Sequence, residues 1–220
     1  MSVANRYPLV ETRVSIRGRE FTVARVADQD TLIARVETDD DLENFPYGLM
    51  LWSSAIGLSE WLIDNASRIR GRRVLEIGAG VGLCGIVAAS VGARVTQTDY
   101  LPDALALCRE NAARNGVENI EFVLGDWRDW PADLTGFDLA IGADILYERS
   151  LHGALLALLP RLAPEFVCAD PIRPQAADFL ARAKALGWSV ETYPLSVDWP
   201  EDSRTIHLHR FTFGPSNGHP

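Results

Sequence analysis

Residues 74–83, Val-Leu-Glu-Ile-Gly-Ala-Gly-Val-Gly-Leu, constrain this chain more than any other stretch. A β-branched apolar run passes into three alternating glycines and straight on into another apolar segment, so a buried strand must turn sharply into a helix. Gly78 and Gly80 permit a tight turn and a close approach of backbone to ligand, Gly82 lets the following helix pack closely, and that helix's first N–H groups are left free. The stretch does not complete a dinucleotide fingerprint, because the sixth position of G-x-G-x-x-G is Leu83. Glu76 stands where a pyrophosphate would be repelled. The ligand these residues favour lacks phosphates and carries positive charge. S-adenosylmethionine meets that description through its sulfonium and α-ammonium groups, which would lie near Glu76, Gly78 and Gly80.

Two further strand ends carry acids. Val91–Asp99 is a short strand that closes on Asp99, at roughly the twenty-residue spacing expected between a glycine loop and the acid that holds ribose hydroxyls. Taken alone, Asp99 could equally cap the helix that starts near Pro102. Asn119–Trp127 is a third strand ending in Asp126 and Trp127, a pair suited to hydrogen-bonding an adenine amino group and covering its ring. Three acids at three successive strand ends make a nucleoside pocket a better account than three separate turns.

The order of elements predicts the sheet. Thr12–Ile16 and Phe21–Val26 alternate apolar with polar around Gly18 and predict a β-hairpin. Asp39–Asn44 carries four acids and reads as a surface linker, and Ser53 to about Asn65 reads as a helix capped by Ser53 or Ser54 that packs beside the first sheet strand. From residue 74 on, strands are expected at 74–77, 94–98, 120–124, 137–143, 165–169, 188–193 and 205–213, with helices at about 81–91, 102–114, 150–162 and 174–186. Alternation demands a parallel sheet with helices on both faces, and the last two strands, with no helix between them, must pair antiparallel at one edge. The expected fold is α/β, a doubly wound Rossmann-like seven-stranded sheet with an antiparallel last strand, preceded by the N-terminal β-hairpin. Residues 1–44 are expected to form the hairpin extension and acidic linker, 45–214 the catalytic domain, and 215–220 a disordered tail.

Composition narrows the partners. The 220 residues are 47% hydrophobic and 23% charged, ordinary for one globular domain, and the net charge of −9 leaves no basic stripe for nucleic acid. Cys84, Cys108 and Cys168 each fall in an apolar pattern and read as buried thiols in a reducing compartment, which with no leader or spanning pattern predicts the cytoplasm and no membrane partner. His207 and His209 alternate with Leu208 and read as one solvated strand face; no His/Cys spacing matches a metal site.

Taken together, Pro46-Tyr47-Gly48 with Trp52, Glu76–Gly82, Asp99, Asn111–Gly116, Gly125–Trp127 and Ala143–Glu148 resemble the seven-strand protein lysine methyltransferases over residues 45 to about 172. In that family a D-x-x-Y motif follows the fourth strand, and Asp144 and Tyr147 match it. Cys168-Ala-Asp-Pro-Ile-Arg173 also looks like the D-P-x-R stretch of the electron-transfer-flavoprotein β-subunit lysine methyltransferase and its bacterial relatives. The resemblance implies S-adenosylmethionine as cofactor, a protein substrate, Trp52, Ala79, Tyr100 and Ala143 beside the cofactor, and Asp144 with Tyr147 as catalytic residues one helical turn apart. Asp144 would accept a hydrogen bond or a proton from the acceptor amine, and Tyr147 would wall the pocket or hold the amine through its hydroxyl. A [DN]-P-P-[YFW] motif, expected for methylation of adenine or of glutamine amides, is missing. Small-molecule N- or O-methyl transfer, and a non-catalytic cofactor-binding module, would share the same sheet.

Overall fold

The computed structural model of the chain describes residues 3–33 and 45–214; the expected linker at 39–44 and tail at 215–220 lie outside the described residues. Strands β1 (Leu9–Ile16) and β2 (Arg19–Val26) form the expected hairpin in register from Leu9 opposite Val26 to Ile16 opposite Arg19. Its two-residue turn places both Arg17 and Gly18 at positive φ, 49° and 76°, the conformation that matches the twist of the flanking strands. A short helix, α1 (Gln29–Ile33), follows.

Helix α2 (Ser53–Asp64) begins at the expected residue with a different cap. Trp52, extended at φ −113° and ψ 147°, occupies the N-cap position and makes no side-chain capping bond. Ser53 and Ser54 instead lie buried within the first turn, and the Ser54 hydroxyl has no partner. The apolar side chains Ile56, Leu58 and Leu62 join one buried cluster with Val167, Ala169 and Leu208. The helix therefore packs against the strands at 139–143, 165–170, 188–197 and 204–213 and against the helix that follows the glycine loop, and not beside the strand at 74–77 as the sequence suggested.

After a short α3 (Ala66–Ile69), the chain alternates β3 (Arg73–Ile77), α4 (Leu83–Ser90), β4 (Arg94–Asp99), α5 (Pro102–Arg114), β5 (Ile120–Leu124), β6 (Leu139–Ala143), α6 (His152–Leu162), β7 (Glu165–Asp170) and α7 (Pro174–Ala185), and closes with β8 (Trp188–Val197) and β9 (Arg204–Phe213). The seven strands are ordered β5-β4-β3-β6-β7-β9-β8. The five from β3 to β7 are parallel, and β9 runs antiparallel between β7 and β8. Reversal of strand order between β3 and β6 opens the crevice in which such sheets bind ligands.

Alternate strand residues feed two apolar layers. Leu75, Ile77, Ala140, Phe166, Cys168 and Phe211 pack under α6 and α7. Val74, Ile141, Val167 and Leu208 pack under α2, α4 and α5, in a cluster that also takes in Val14, Ile16, Phe21 and Val23 of the hairpin. The hairpin thus shares the main core. It is fastened by two asparagines, Asn111 of α5 and Asn115 at its C-cap: Asn111 accepts from Ala24 N (2.7 Å) and donates to Ala24 O (3.0 Å), and Asn115 does the same with Thr22 N (2.9 Å) and Thr22 O (2.7 Å).

The position of β9 inside the sheet corrects the reading of its histidines. His209 is 2% exposed, its Nδ1 lies 2.9 Å from Thr192 Oγ1, and burial pushes its pKa down to about 4. His207 is half-buried, with its ring centroid 5.8 Å from that of His209. His209 stands between Cys168 and Thr192 with its ring centroid 6.4 Å from that of Phe211, and these neighbours keep it from water. All three cysteines are free and buried. Among the described residues no helix is long and apolar enough to cross a membrane.

Candidate active site

At the C-terminal ends of the parallel strands lies a cavity of about 640 Å³, within the size range of small-ligand sites. Trp52, Glu76, Gly78, Ala79, Gly80, Asp99, Tyr100, Asp126, Trp127, Ala143, Asp144 and Tyr147 all line it. From Glu76 on these residues are brought together because the parallel strands deliver their C-terminal ends and the loops that follow to the same edge, and Trp52 reaches it from the N-cap of α2.

Glu76 forms the floor. Only 2% exposed, it receives hydrogen bonds on Oε2 from Gly85 N at 2.9 Å and Gln97 Nε2 at 2.6 Å. Burial raises its pKa to about 7, against the lowering effect of those donors. A Cβ on Gly85 would fall 2.4 Å from Gln97 Nε2 and 2.6 Å from Glu76 Oε2, so only glycine lets the helix start approach these side chains. Gly80, at φ +57°, is held the same way: an added Cβ would lie 2.8 Å from the Gly48 carbonyl oxygen.

Asp99 is 5% exposed and holds two loops at once. Oδ2 accepts from Gly80 N and Oδ1 from Leu101 N, both at 3.0 Å. Burial pushes its carboxyl up from the ordinary range, and the amides of Leu101, Gly80 and Tyr100 oppose that rise. The contact to Leu101 is local, as a capping role would have it, while the contact to Gly80 faces the cavity.

On the β5 side, Asp126 is engaged by Arg128 in a two-pronged pair, with Arg128 Nε at 2.9 Å from Oδ1 and Nη2 at 2.6 Å from Oδ2. Those hydrogen bonds hold the Asp126 carboxyl below the usual range. Trp127 is partly buried against the layer under α6, with its six-membered ring 3.7 Å from where a Cβ on Gly78 would stand.

The D-x-x-Y segment is not a helical turn. Asp144 adopts φ +55°, and residues 144–148 run as an irregular loop into a 3-10 turn at Arg149–Leu151. This corrects the expected one-turn spacing: the left-handed kink at Asp144, whose N–H donates to Ala169 O at 2.8 Å, swings the chain off the helical path. Both side chains still face the cavity. Tyr147 stands with its ring 5.8 Å from Tyr47, which is itself 6.4 Å from Trp52, and burial pushes its hydroxyl pKa upward. Asp144 is 8% exposed and accepts a hydrogen bond on Oδ1 from Arg173 Nε at 2.8 Å.

Several site residues were not singled out from the sequence. Gln97 and Gly85 position Glu76 and Arg128 engages Asp126, while Arg173, read from the sequence only as the end of the D-P-x-R stretch and with no role assigned, engages Asp144. Gln97 had a readable signal. The run Thr96-Gln97-Thr98 places three polar residues in a strand buried on both faces, which requires partners for each.

The lining matches the donor deduced from the sequence. Among the described residues Arg128 is the only basic side chain on it, already paired, whereas Glu76, Asp99, Asp126, Asp144 and Glu148 are acidic, so a phosphate is unwelcome and a cation is favoured. A sheet of this strand order with these acids at its strand ends defines a class I methyltransferase that takes its methyl group from S-adenosylmethionine. Residues 28–184 match the family model described as lysine methyltransferase, and the chain belongs to that family. It is 29% identical to the histone-arginine methyltransferase METTL23 of Xenopus laevis over 82% of this chain and 80% of that one. It is 36% identical to the protein N-lysine methyltransferase METTL21A of Danio rerio, over 66% of this chain and 65% of the relative. Among solved structures, the magnesium protoporphyrin IX methyltransferase of Synechocystis PCC 6803 with bound S-adenosylmethionine shares the fold at a TM-score of 0.58 and 14% identity, over 82% of this chain and 86% of that one.

Proposed function

We propose that the chain N-methylates a lysine side chain of a protein, with Asp144 and Tyr147 facing the acceptor and Trp52, Glu76, Gly78, Ala79, Gly80, Asp99, Tyr100, Asp126, Trp127 and Ala143 around the cofactor. One observation carries this reading: Asp144 and Tyr147 open onto the same cavity as Glu76 and Asp99, across the β3–β6 switch in strand order. Family membership and the lysine activity of the zebrafish relative support it.

S-adenosylmethionine supplies a methyl carbon bound to a positively charged sulfur. In this reading Asp99 anchors the ribose, Trp127 and Asp126 take the adenine, and Glu76 faces the cationic methionine end. The acceptor nitrogen forms its bond to the methyl carbon while the carbon–sulfur electron pair returns to sulfur, and the amine's proton leaves to solvent or a base. The protein chiefly has to orient the amine and exclude water. Asp144 accepts a hydrogen bond from the amine, and Tyr47, Trp52 and Tyr147 enclose the approach.

The net charge of −9 supports a protein acceptor over a nucleic acid, and three buried free thiols support a cytoplasmic setting. The frog relative's name favours a second acceptor, arginine. Purified enzyme with labelled S-adenosylmethionine, added to lysate of cells lacking the gene, decides among them. Label on protein lysine is expected; label on arginine favours the second acceptor, and label confined to metabolites overturns the protein reading.

A further inference from the structure

Arg173 does not line the cavity, yet it reaches a residue that does. Its Nε donates to Asp144 Oδ1 at 2.8 Å, and its own backbone N–H is held by Asp170 Oδ1 at 2.7 Å. Asp144 N–H in turn donates to Ala169 O at 2.8 Å, so the loop after β6 is tied to the end of β7 through its backbone and to the loop after β7 through the side chains. Each loop carries an unfavourable backbone conformation at the tie: φ is +55° at Asp144 and +63° at Ile172, a β-branched residue. Two such residues flanking one ion pair indicate that the pair's geometry is imposed by the fold.

We propose that Arg173 is a positioning residue for methyl transfer: it holds one oxygen of Asp144 in an ion pair, leaves the other for the acceptor, and cancels the carboxylate charge that would keep the acceptor amine protonated. This rests on Asp144 serving a lysine acceptor, as proposed above. The acceptor nitrogen needs its lone pair to attack, and an ammonium has none to give. A carboxylate within about 4–6 Å favours the charged form and raises an amine's pKa by about 1–3 units. A lysine with a pKa near ~10.4 is already almost wholly protonated at neutral pH, and each further unit removes about nine-tenths of what neutral amine remains. The charged and titratable groups that act on Asp144 are Arg173 from the loop after β7, Asp170 and Cys168 from β7 itself and Tyr147 from its own loop, and Tyr147 in turn faces Glu148, Asp99 and Tyr100. Among the described residues Arg173 is the cation paired with Asp144. Without it an anionic pocket would receive the amine as an ammonium.

The test compares wild type with Arg173→Met, Arg173→Gln and Arg173→Lys. The two neutral variants are expected to bind S-adenosylmethionine by calorimetry as wild type does. They should label the lysate acceptor about tenfold more slowly at pH 7.5, with the acidic limb of the rate profile moved up by about one pH unit or more. Arg173→Lys, which keeps the charge, should restore most of the rate and the limb. Butylamine, a lysine side chain without its backbone, is the second probe. With S-adenosylhomocysteine present at pH 7, Arg173→Met or Arg173→Gln should bind butylamine more tightly than wild type by about tenfold, and the added change Asp144→Asn should abolish that gain. An unmoved limb, unaltered butylamine affinity in both neutral variants, or an Arg173→Lys profile matching theirs would overturn the proposal. If wild type labels no protein, the lysine reading falls, and the butylamine comparison still decides the role of Arg173.

Discussion

The Asp99 carboxylate and the Gly80 amide, 19 residues apart in sequence, meet through a 3.0 Å hydrogen bond that ties the end of β4 to the glycine loop. Asp99 therefore shapes the loop as well as lining the cavity. Asp99→Ala should weaken S-adenosylmethionine binding by about one to two orders of magnitude, the scale of a lost hydrogen bond to a charged group, and should also lower the melting temperature of the free protein. Calorimetry and thermal melts check the two effects separately. Reduced stability with unchanged affinity would confine Asp99 to bracing the loop.

Glu76 should make the stability of the protein depend on pH in an unusual direction. Its folded pKa of about 7 lies above its ordinary value of 4.5, so the folded state keeps a proton that the unfolded chain releases. Its contribution is present in full below the ordinary value and is lost as pH rises through about 7. Melts from pH 5 to 8 should show a steeper decline for wild type than for Glu76→Gln. A cationic ligand favours the ionised form, so binding of S-adenosylmethionine near pH 7 should release protons, read as a dependence of binding heat on the buffer's ionisation heat. Parallel melting curves for the two proteins would refute this.

Gly80→Ala meets two obstacles, a left-handed backbone and the Gly48 carbonyl oxygen 2.8 Å from the new Cβ. Destabilisation of about 1–3 kcal/mol is expected from the backbone alone, measured by denaturant unfolding. Gly80→Arg should also fill the cavity and abolish cofactor binding. Wild-type affinity in Gly80→Arg would put the cofactor elsewhere.

Asp144→Asn is the informative change at the acceptor side, because asparagine tolerates the left-handed conformation that Asp144 adopts at φ +55°. Cofactor affinity should stay within a few-fold while methyl transfer falls by about 100-fold, the scale of a lost positioning group. Loss of both together would make Asp144 a cofactor ligand.

Asn111→Ala should loosen the hairpin. Its side chain serves Ala24 N and Ala24 O and also donates to Val81 O at 2.9 Å beside the glycine loop. Leaving these buried groups without partners should cost about 1–3 kcal/mol in denaturant unfolding. Hydrogen exchange should quicken first at Ala24, whose amide has no other partner among the described residues on that side of β2.

Much of the fold and the cofactor side of the site was legible because it is written in local pattern. Glu76, Asp99 and Asp126 each end a short apolar strand, and a parallel sheet must bring such ends to one edge. What escaped the sequence depends on distant packing. Nothing near Asp144 announces that Arg173, 29 residues on, will reach it. The spacing from Asp144 to Tyr147 suits a helical turn, and only the bond from Asp144 N–H to the neighbouring strand end shows why the chain takes another path. His209 was read as solvated because alternation along β9 does not reveal whether the strand lies at an edge.

The paired asparagines in and at the end of α5 bear on how copies of this protein behave toward one another. An uncovered strand offers a row of N–H and C=O groups that another strand can copy, and then another, which is how sheet edges seed aggregates. On β2 the groups of Thr22 and Ala24 that point away from β1 are taken by side-chain amides mounted on a helix. An amide on a helix satisfies the edge without presenting a fresh one beyond it. Propagation stops there, and a chain that lost Asn111 and Asn115 would expose a template for self-association even where its methyltransferase sheet remained intact.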